Sequence, residues 1–296
     1  MLPYHKSTEY ASREEWLQAR TAGIGGSDAP AVFQISPWVS PFSLYLEKTG
    51  VRMRKDTRTG KHLMIGKLME SVIAQAFELE TGIEAAPPGE FRIFWGDEQF
   101  QFATLDLTSE RVPVIEAKTV GASQVSAWKN GPPLHYQVQV QHQMACVGAT
   151  RGAVAVLFGG MAFDFKVFTV ERDDRFIDAL LRKEREFWWR VESGNAPEPD
   201  ETQATFDALQ RVEIDLEKAV ELGTEFGMID ARLQKIKRLL KRLEELQTKL
   251  ENQIKGRMLN ADLALLGGRP AYTWKGDSRG TRRLLRVLKA DLWEMN

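Results

Sequence analysis

The stretch FATLDLTSERVPVIEAKT, residues 102–119, decides how this chain is read. Two β-like runs, residues 101–105 and 112–118, flank a polar turn at residues 108–111. Asp106 ends the first run. Glu116 and Lys118 lie two apart on the second, so a strand's period of two sets both side chains on one face. A carboxylate pair with a lysine beside it is a compact way to hold a hard divalent cation and place an attacking water. The same pattern also fits a surface hairpin with one Glu and one Lys toward solvent. The rest of the sequence weighs against that plainer reading.

The chain has 296 residues, 43% hydrophobic and 27% charged, which suits one large soluble globular domain plus an extension. Forty basic and 41 acidic residues give a net charge of −1, so a nucleic-acid surface must come from local segregation of charge. A single cysteine, Cys146, excludes a disulfide framework and a Cys-rich zinc site. The four histidines, His5, His62, His135 and His142, have no metal-ligand spacing. No signal peptide or membrane-length apolar run is present, and a reducing cytoplasm with no membrane partner is the expectation.

Outward from the central stretch, a capping box at Ser12 and Glu15 opens a short helix ending near Arg20. The glycine loop GIGGSD, residues 23–28, feeds a helix at Ser27 with Pro30 in its first turn. It is neither a dinucleotide fingerprint nor a P-loop, but N–H groups at a helix start favour an anion. Ser40 and Pro41 start a helix that Gly50 stops. The basic stretch at residues 51–61 reads equally as a solvated loop or a phosphate-riding one.

Residues 65–80 form an amphipathic helix with Ile65, Leu68, Met69, Val72, Ile73, Ala76 and Phe77 as its apolar stripe and Glu70 at the stripe's edge. Two strands surround the turn at Trp95, Gly96 and Asp97. After a loop at 121–133, residues 135–147 are helical and carry four glutamines, for which a polar face is the usual reading. A strand pair, a long helix at 173–193 and a Pro-rich linker at 195–200 follow. Beyond it Ile229, Leu233, Ile236, Leu240, Leu243, Leu250 and Ile254 recur with heptad-like spacing, with residues 202–222 as an antiparallel partner. The chain ends in a hairpin, 271–275 with 281–288, crowded by Arg279, Arg282, Arg283, Arg286 and Lys289.

The order of these motifs resembles the phage-type exonucleases of the lambda exonuclease or YqaJ recombinase family, within the PD-(D/E)XK nuclease superfamily. The resemblance covers the first two-thirds of the chain. It rests on Arg20 with Gly23 to Asp28, Ser36-Pro-Trp38 with Ser40-Pro41, Gly66 to Glu70, Asp106, Glu116-Ala-Lys118 and Gln139 to Met144. It implies an α+β (α/β) restriction-endonuclease-like core, a mixed central sheet flanked by helices, at residues 1–196. Residues 197–296 would form a helical coiled-coil extension with the terminal β-hairpin.

Carried over by position, Glu70, Asp106, Glu116 and the Ala117 carbonyl would coordinate two Mg²⁺ ions, with Mn²⁺ as the substitute. Lys118 would orient or activate the water, with Gln139 and Tyr136 beside it, and Arg20, Ser27 and Thr104 would hold a terminal 5′-phosphate. Leu105 and Leu107 stand where the superfamily pattern has proline and glycine, which alters the local turn. The implied activity is 5′–3′ exonucleolysis of linear double-stranded DNA, leaving 3′ strands for a single-strand annealing protein in phage-type recombination. The implied setting is a phage or prophage product in a bacterial cytoplasm, acting as a homo-oligomer such as a trimer. The competing readings are an endonuclease on the same fold and an inactive nuclease-like scaffold acting through its coiled arm.

Overall fold

The computed structural model describes residues 6–51, 61–159, 164–212, 219–276 and 282–287; most of the basic loop (52–60), Arg279 and Lys289 lie outside them. The described chain divides into two compact units, Met1–Ile214 and Asp215–Asn296.

The first unit opens with β1 (Ser7–Glu9), for which the sequence pattern gave no signal, and α1 (Arg13–Thr21). Ser12 caps α1 by accepting from the Glu15 N–H at 3.2 Å. The returning arm of the capping box lands one residue early, with the Glu15 carboxylate accepting from the Ala11 N–H. The helix expected at Ser27 is α2 (Ala29–Val32), a single turn containing Pro30. α3 (Pro41–Lys48) has the full reciprocal box between Ser40 and Ser43. α4 (Lys61–Thr81), β2 (Arg92–Trp95), β3 (Phe102–Ala103) and β4 (Val114–Val120) follow. A 3-10 turn (Ala122–Trp128) occupies the expected loop and buries Trp128. α5 (Leu134–Val147), β5 (Arg151–Phe158), β6 (Asp164–Glu171), α6 (Asp174–Ser193) and α7 (Gln203–Leu209) complete the unit.

β1, β2 and β3 form an antiparallel sheet, and β4, β5 and β6 a mixed one in which β4 runs parallel to β5 and β6 antiparallel to it. A parallel pair needs a crossover, and α5 supplies it. A Leu107–Ile115 bridge joins the segment after β3 to β4.

β5 is the middle strand, and its residues alternate between two packed faces. Val154, Val156 and Phe158 meet Val140, Met144 and Val147 of α5. Ala153 and Ala155 meet Ile73 and Phe77 of α4 along with Ile115 of β4. With both faces covered, the strand reads as a nearly continuous apolar run. The mixed sheet between helices is the α+β core that the sequence led us to expect.

α4 departs from its expected stripe. Ile73 and Phe77 are buried, but Ile65 and Leu68 are 54% and 66% exposed, and Val72 is exposed as well. Periodicity marks an apolar face, yet only the part lying over the sheet enters the core. The first unit also runs past the boundary expected at residue 196. Ser40 and Thr205 hydroxyls meet at 2.6 Å in the interior, and Ala208 joins the cluster of Phe42, Leu44 and Phe187. α7 therefore packs on α3, while residues 213–218 of the expected partner helix lie outside the described residues.

The second unit consists of α8 (Glu225–Met258) and an antiparallel sheet of β7 (Leu263–Leu266), β8 (Arg269–Gly276) and β9 (Arg282–Arg286). The terminal element is thus three-stranded, with β7 added to the expected hairpin. Ile229, Leu233, Ile236, Leu240, Leu243 and Leu250 are all exposed along α8. Two of the arginines that crowd the terminal hairpin have internal partners. Arg282 donates to the carbonyls of Leu259, Ala261 and Trp274 and lies 3.8 Å over the Trp274 ring. Arg286 donates to the Ala271 carbonyl at 2.9 Å.

Candidate active site

β4 carries the centre of the site. Val114, Glu116, Lys118 and Val120 alternate with Ile115 and Ala117, so the carboxylate and the ammonium share the face that looks toward α5. Glu116 is only 2% exposed, so its charge must be answered by fixed donors. Gln139 Nε2 donates to Glu116 Oε1 at 2.7 Å, and Gln143 Nε2 donates to Oε2 at 2.7 Å. Lys118 Nζ forms an ion pair with Oε1. Gln139 and Gln143 are one helical turn apart on α5, a spacing that aims both amides at one carboxylate.

The glutamine alternation thus resolves into two such pairs. Gln137 donates to the Pro132 carbonyl, and Gln141 donates to the Glu171 carbonyl and accepts from the Asp173 N–H. The expected polar face is instead a row of anchors, with Gln141 and Gln143 buried. Gln139 was picked out in advance. Gln143 lay inside the quoted motif without a role, although its distance of four residues from Gln139 was the available signal.

Asp106 accepts from the Ala117 N–H at 3.0 Å, which fixes the carboxylate against the strand that carries Glu116. Burial, then the charge of Glu116, pushes its pKa up to about 8, with Glu70 adding to the rise and Lys118 opposing it. Glu70 on α4 is raised by burial, against the pull of Lys67, which it meets at 2.5 Å. Burial works against the charge on Lys118, but Glu116 and Asp106 outweigh it and hold its pKa above the ordinary lysine value. Lys118 is therefore an ammonium, a donor that orients rather than a base that abstracts.

Three mutually repelling carboxylates against one lysine at the centre form a donor set that a cation would relieve. Among the described residues, no three His, Cys, Asp or Glu side chains converge as a ready metal cage. Oxygen donors from one or two carboxylates, completed by a carbonyl and water, still fit a hard cation such as Mg²⁺, which keeps several waters.

The glycine loop packs against this centre. Ile24 bridges to Gln101, its N–H donating to the Phe100 carbonyl at 2.6 Å and its carbonyl accepting from the Phe102 N–H at 3.1 Å. A side chain on Gly23 would collide with the Phe100 carbonyl, and a Cβ on Gly26 would stand 3.0 Å from Gln143 Cγ and 3.4 Å from Gln139 Cγ. Ser27, next to Gly26, is exposed. The helix-start anion cradle expected here is not formed by the turn's N–H groups that the chain itself uses. The Gly25 N–H donates to Asp28 Oδ2, and the Asp28 and Ala29 N–H groups donate to the Gly25 carbonyl. Asp28 is in turn ion-paired to buried Lys48 at 2.7 Å.

Arg20 closes α1 with its guanidinium 4.4 Å over Trp16. The Thr104 carbonyl accepts from Gln143 Nε2 at 3.4 Å. Tyr136 has Lys118 Nζ 5.1 Å from its ring centre, and its pKa is raised, chiefly by burial, so the phenol keeps its proton. The structure thus gathers Asp106, Glu116, Lys118, Gln139, Tyr136 and Thr104 around one spot, with Glu70 coupled to them through its charge.

The sequence reading missed the buried pair behind this centre. His142 Nδ1 lies 2.7 Å from Glu184 Oε1, and its Nε2 lies 2.9 Å from the Phe102 carbonyl. With Glu184 ionised, both partners can only accept, so the ring donates from both nitrogens as an imidazolium. Burial disfavours that charge, but Glu184 and Cys146 outweigh it and raise the His142 pKa well above 6.5. The pair ties α5 and α6 to β3, just ahead of Thr104 and Asp106.

The sequence profile of the YqaJ-like viral recombinase domain matches residues 15–150. Over 275 residues the chain is 33% identical to the uncharacterized protein YqaJ of Bacillus subtilis (strain 168), covering 89% of this chain and 83% of that protein. The chain belongs to the YqaJ-like viral recombinase family. The YqaJ-like fold has a structural counterpart in the alkaline exonuclease LHK-Exo of Laribacter hongkongensis, with a TM-score of 0.52 at 20% identity over 61% of this chain and 93% of that one. LHK-Exo in complex with dAMP is similar at a TM-score of 0.51. The YqaJ-family profile encloses Arg20, Ser27, Glu70, Asp106, Glu116, Lys118, Gln139 and Gln143, so the whole candidate site falls within the family's own domain. Among the described residues, no helix of this YqaJ-like chain is long and apolar enough to cross a membrane.

Proposed function

We propose that the protein is a metal-dependent 5′–3′ exonuclease acting on linear double-stranded DNA and leaving 3′ single strands for recombination. The observation that carries this reading is the buried Glu116 carboxylate, held at both oxygens by Gln139 and Gln143 and paired with Lys118, in a chain of the viral recombinase family. A carboxylate held this firmly is preorganised to hold a cation, and the ammonium beside it to meet charge that develops on a phosphate. The fold it shares with an alkaline exonuclease supports the same chemistry.

Asp106, Glu116 and the Ala117 carbonyl, with Glu70 beside them, would hold Mg²⁺ or Mn²⁺. When bound, such a cation supplies the positive charge that phosphodiester hydrolysis needs. Lys118 orients the attacking water and steadies the phosphate, and the neutral Tyr136 phenol offers a donor nearby. Arg20, Ser27 and Thr104 would hold the terminal 5′-phosphate; of these, Ser27 follows Gly26, which packs against Gln139 and Gln143. With the turn's N–H groups taken up internally, that grip falls to side chains. A single-strand annealing protein would take the product strand. Homo-oligomerisation through the exposed stripe of α8 completes the proposal, with sedimentation velocity as its check.

Glu116→Ala and Lys118→Ala should each abolish hydrolysis of linear duplex DNA while melting cooperatively as folded proteins. Full turnover in either variant contradicts the assignment.

A further inference from the structure

A run of aromatic rings leads from the carboxylate centre to the surface. Tyr136, beneath Lys118 Nζ, stacks on Trp128 at 5.3 Å and 28° and lies 4.1 Å from the His135 ring. His135 meets Trp38 edge-on at 5.0 Å and 87°, and Trp38 is 6.2 Å from Tyr136. The inner ring, Trp128, is 6% exposed, whereas the outer one, Trp38, is 60% exposed. His135 Nε2 is buried with no hydrogen-bond partner among the described residues, so ring contacts, not a bond at that nitrogen, back Trp38.

The turn that presents Trp38 is fixed at both ends. Ser36 Oγ accepts from the N–H groups of Trp38 and Val39, at 3.3 and 3.2 Å. Ser40, two residues on, is locked into the capping box of α3. An open indole is therefore held on a rigid turn and joined by ring contacts to the side chains around Glu116. A rigid aromatic surface loses little conformational freedom when a ligand lands on it.

We infer that Trp38, backed by His135, is a stacking platform for an unpaired nucleobase of the strand whose phosphate lies at Glu116 and Lys118. The inference rests on the nuclease reading and adds to it a base-binding position outside the hydrolytic centre. A terminal nucleotide must leave the duplex stack to bring its phosphate among buried side chains, and its base then needs a new surface. Every base has a π-face, so stacking is tolerant of sequence, which suits an enzyme that must move along any DNA. Trp38 positions substrate and takes no part in bond breaking.

The test is equilibrium binding in EDTA, which is independent of hydrolysis. The probe is a 5′-phosphorylated duplex with a frayed 5′ end, carrying either a normal or an abasic terminal nucleotide. Wild-type protein should prefer the normal nucleotide by about tenfold, the scale of one base–aromatic stack. Trp38→Ala should bring the ratio close to one, and Trp38→Phe should keep most of it. A ratio of one in the wild type, or a ratio that survives in Trp38→Ala, overturns the platform, as does a surface at Trp38 that binds protein but leaves DNA binding unchanged when mutated. Hydrolysis in Mg²⁺ is scored separately. Base-dependent binding without hydrolysis would refute the nuclease reading alone, and hydrolysis without base-dependent binding would refute the platform alone.

Discussion

Gln143 shows how much a single amide contributes to this centre. It gives one of the two glutamine hydrogen bonds that hold the Glu116 carboxylate, in an interior where a charge without donors is costly. Gln143→Leu keeps roughly the shape and removes the donor. A hydrogen bond to a charged group is worth about 1.5–3 kcal/mol, so the melting temperature should fall by several degrees and the single-turnover rate by about tenfold or more. An unchanged rate would mean that Gln143 only fills space. The residue was within view in the sequence, but its role was not. Glu116 and Lys118 announce themselves by a spacing of two on a strand, whereas the Gln143 amide matters only because α5 crosses over β4, which is a tertiary fact.

The elements α5, α6 and β3 meet at His142 and Glu184, both fully buried. Removing one member of a buried pair leaves an uncompensated charge and costs about 3–5 kcal/mol, whereas replacing both with apolar residues is often neutral. His142→Leu or Glu184→Leu alone should therefore be strongly destabilising, and the double variant far less so. The pair also sets a pH dependence. The folded His142 pKa is raised, so its contribution is fully present below the unfolded value near 6.5 and is lost as pH rises through the folded value. Unfolding free energy should decline on the alkaline side for the wild type, and that component should vanish in the double variant. Denaturant melts across pH check both; a double variant as unstable as the worse single one would contradict the coupling.

At this scale the sequence was legible where the period met a full partner surface. β4, α5 and α6 came out of the pattern because the sheet and helices cover their apolar faces. α4 came out too long in its buried stripe because half of that stripe has no sheet beneath it. α7 was assigned to the wrong unit because the Ser40–Thr205 contact spans 165 residues, beyond the reach of any local pattern.

Over the whole molecule, a family domain holding a carboxylate site is followed by a unit with other features. α8 leaves a heptad-spaced apolar stripe open to solvent, and a stripe of that kind is a surface for another helix. In the basic strand that follows, Arg282 and Arg286 are tied to carbonyls and rings of their own unit. An arginine holding carbonyls at a helix end looks the same in sequence as one waiting for phosphate. The end-specific chemistry is therefore proposed for the first unit, through Arg20, Ser27 and Thr104.

That claim is tested most directly with linear duplex DNA labelled at one end, with and without a 5′-phosphate, beside a closed circular duplex, in Mg²⁺. The account predicts stepwise loss from the 5′ end, an intact circle, and a preference for the phosphorylated end that Arg20→Ala lowers. Cutting of the circle, or no cleavage of either substrate in Mg²⁺ or Mn²⁺, would contradict it.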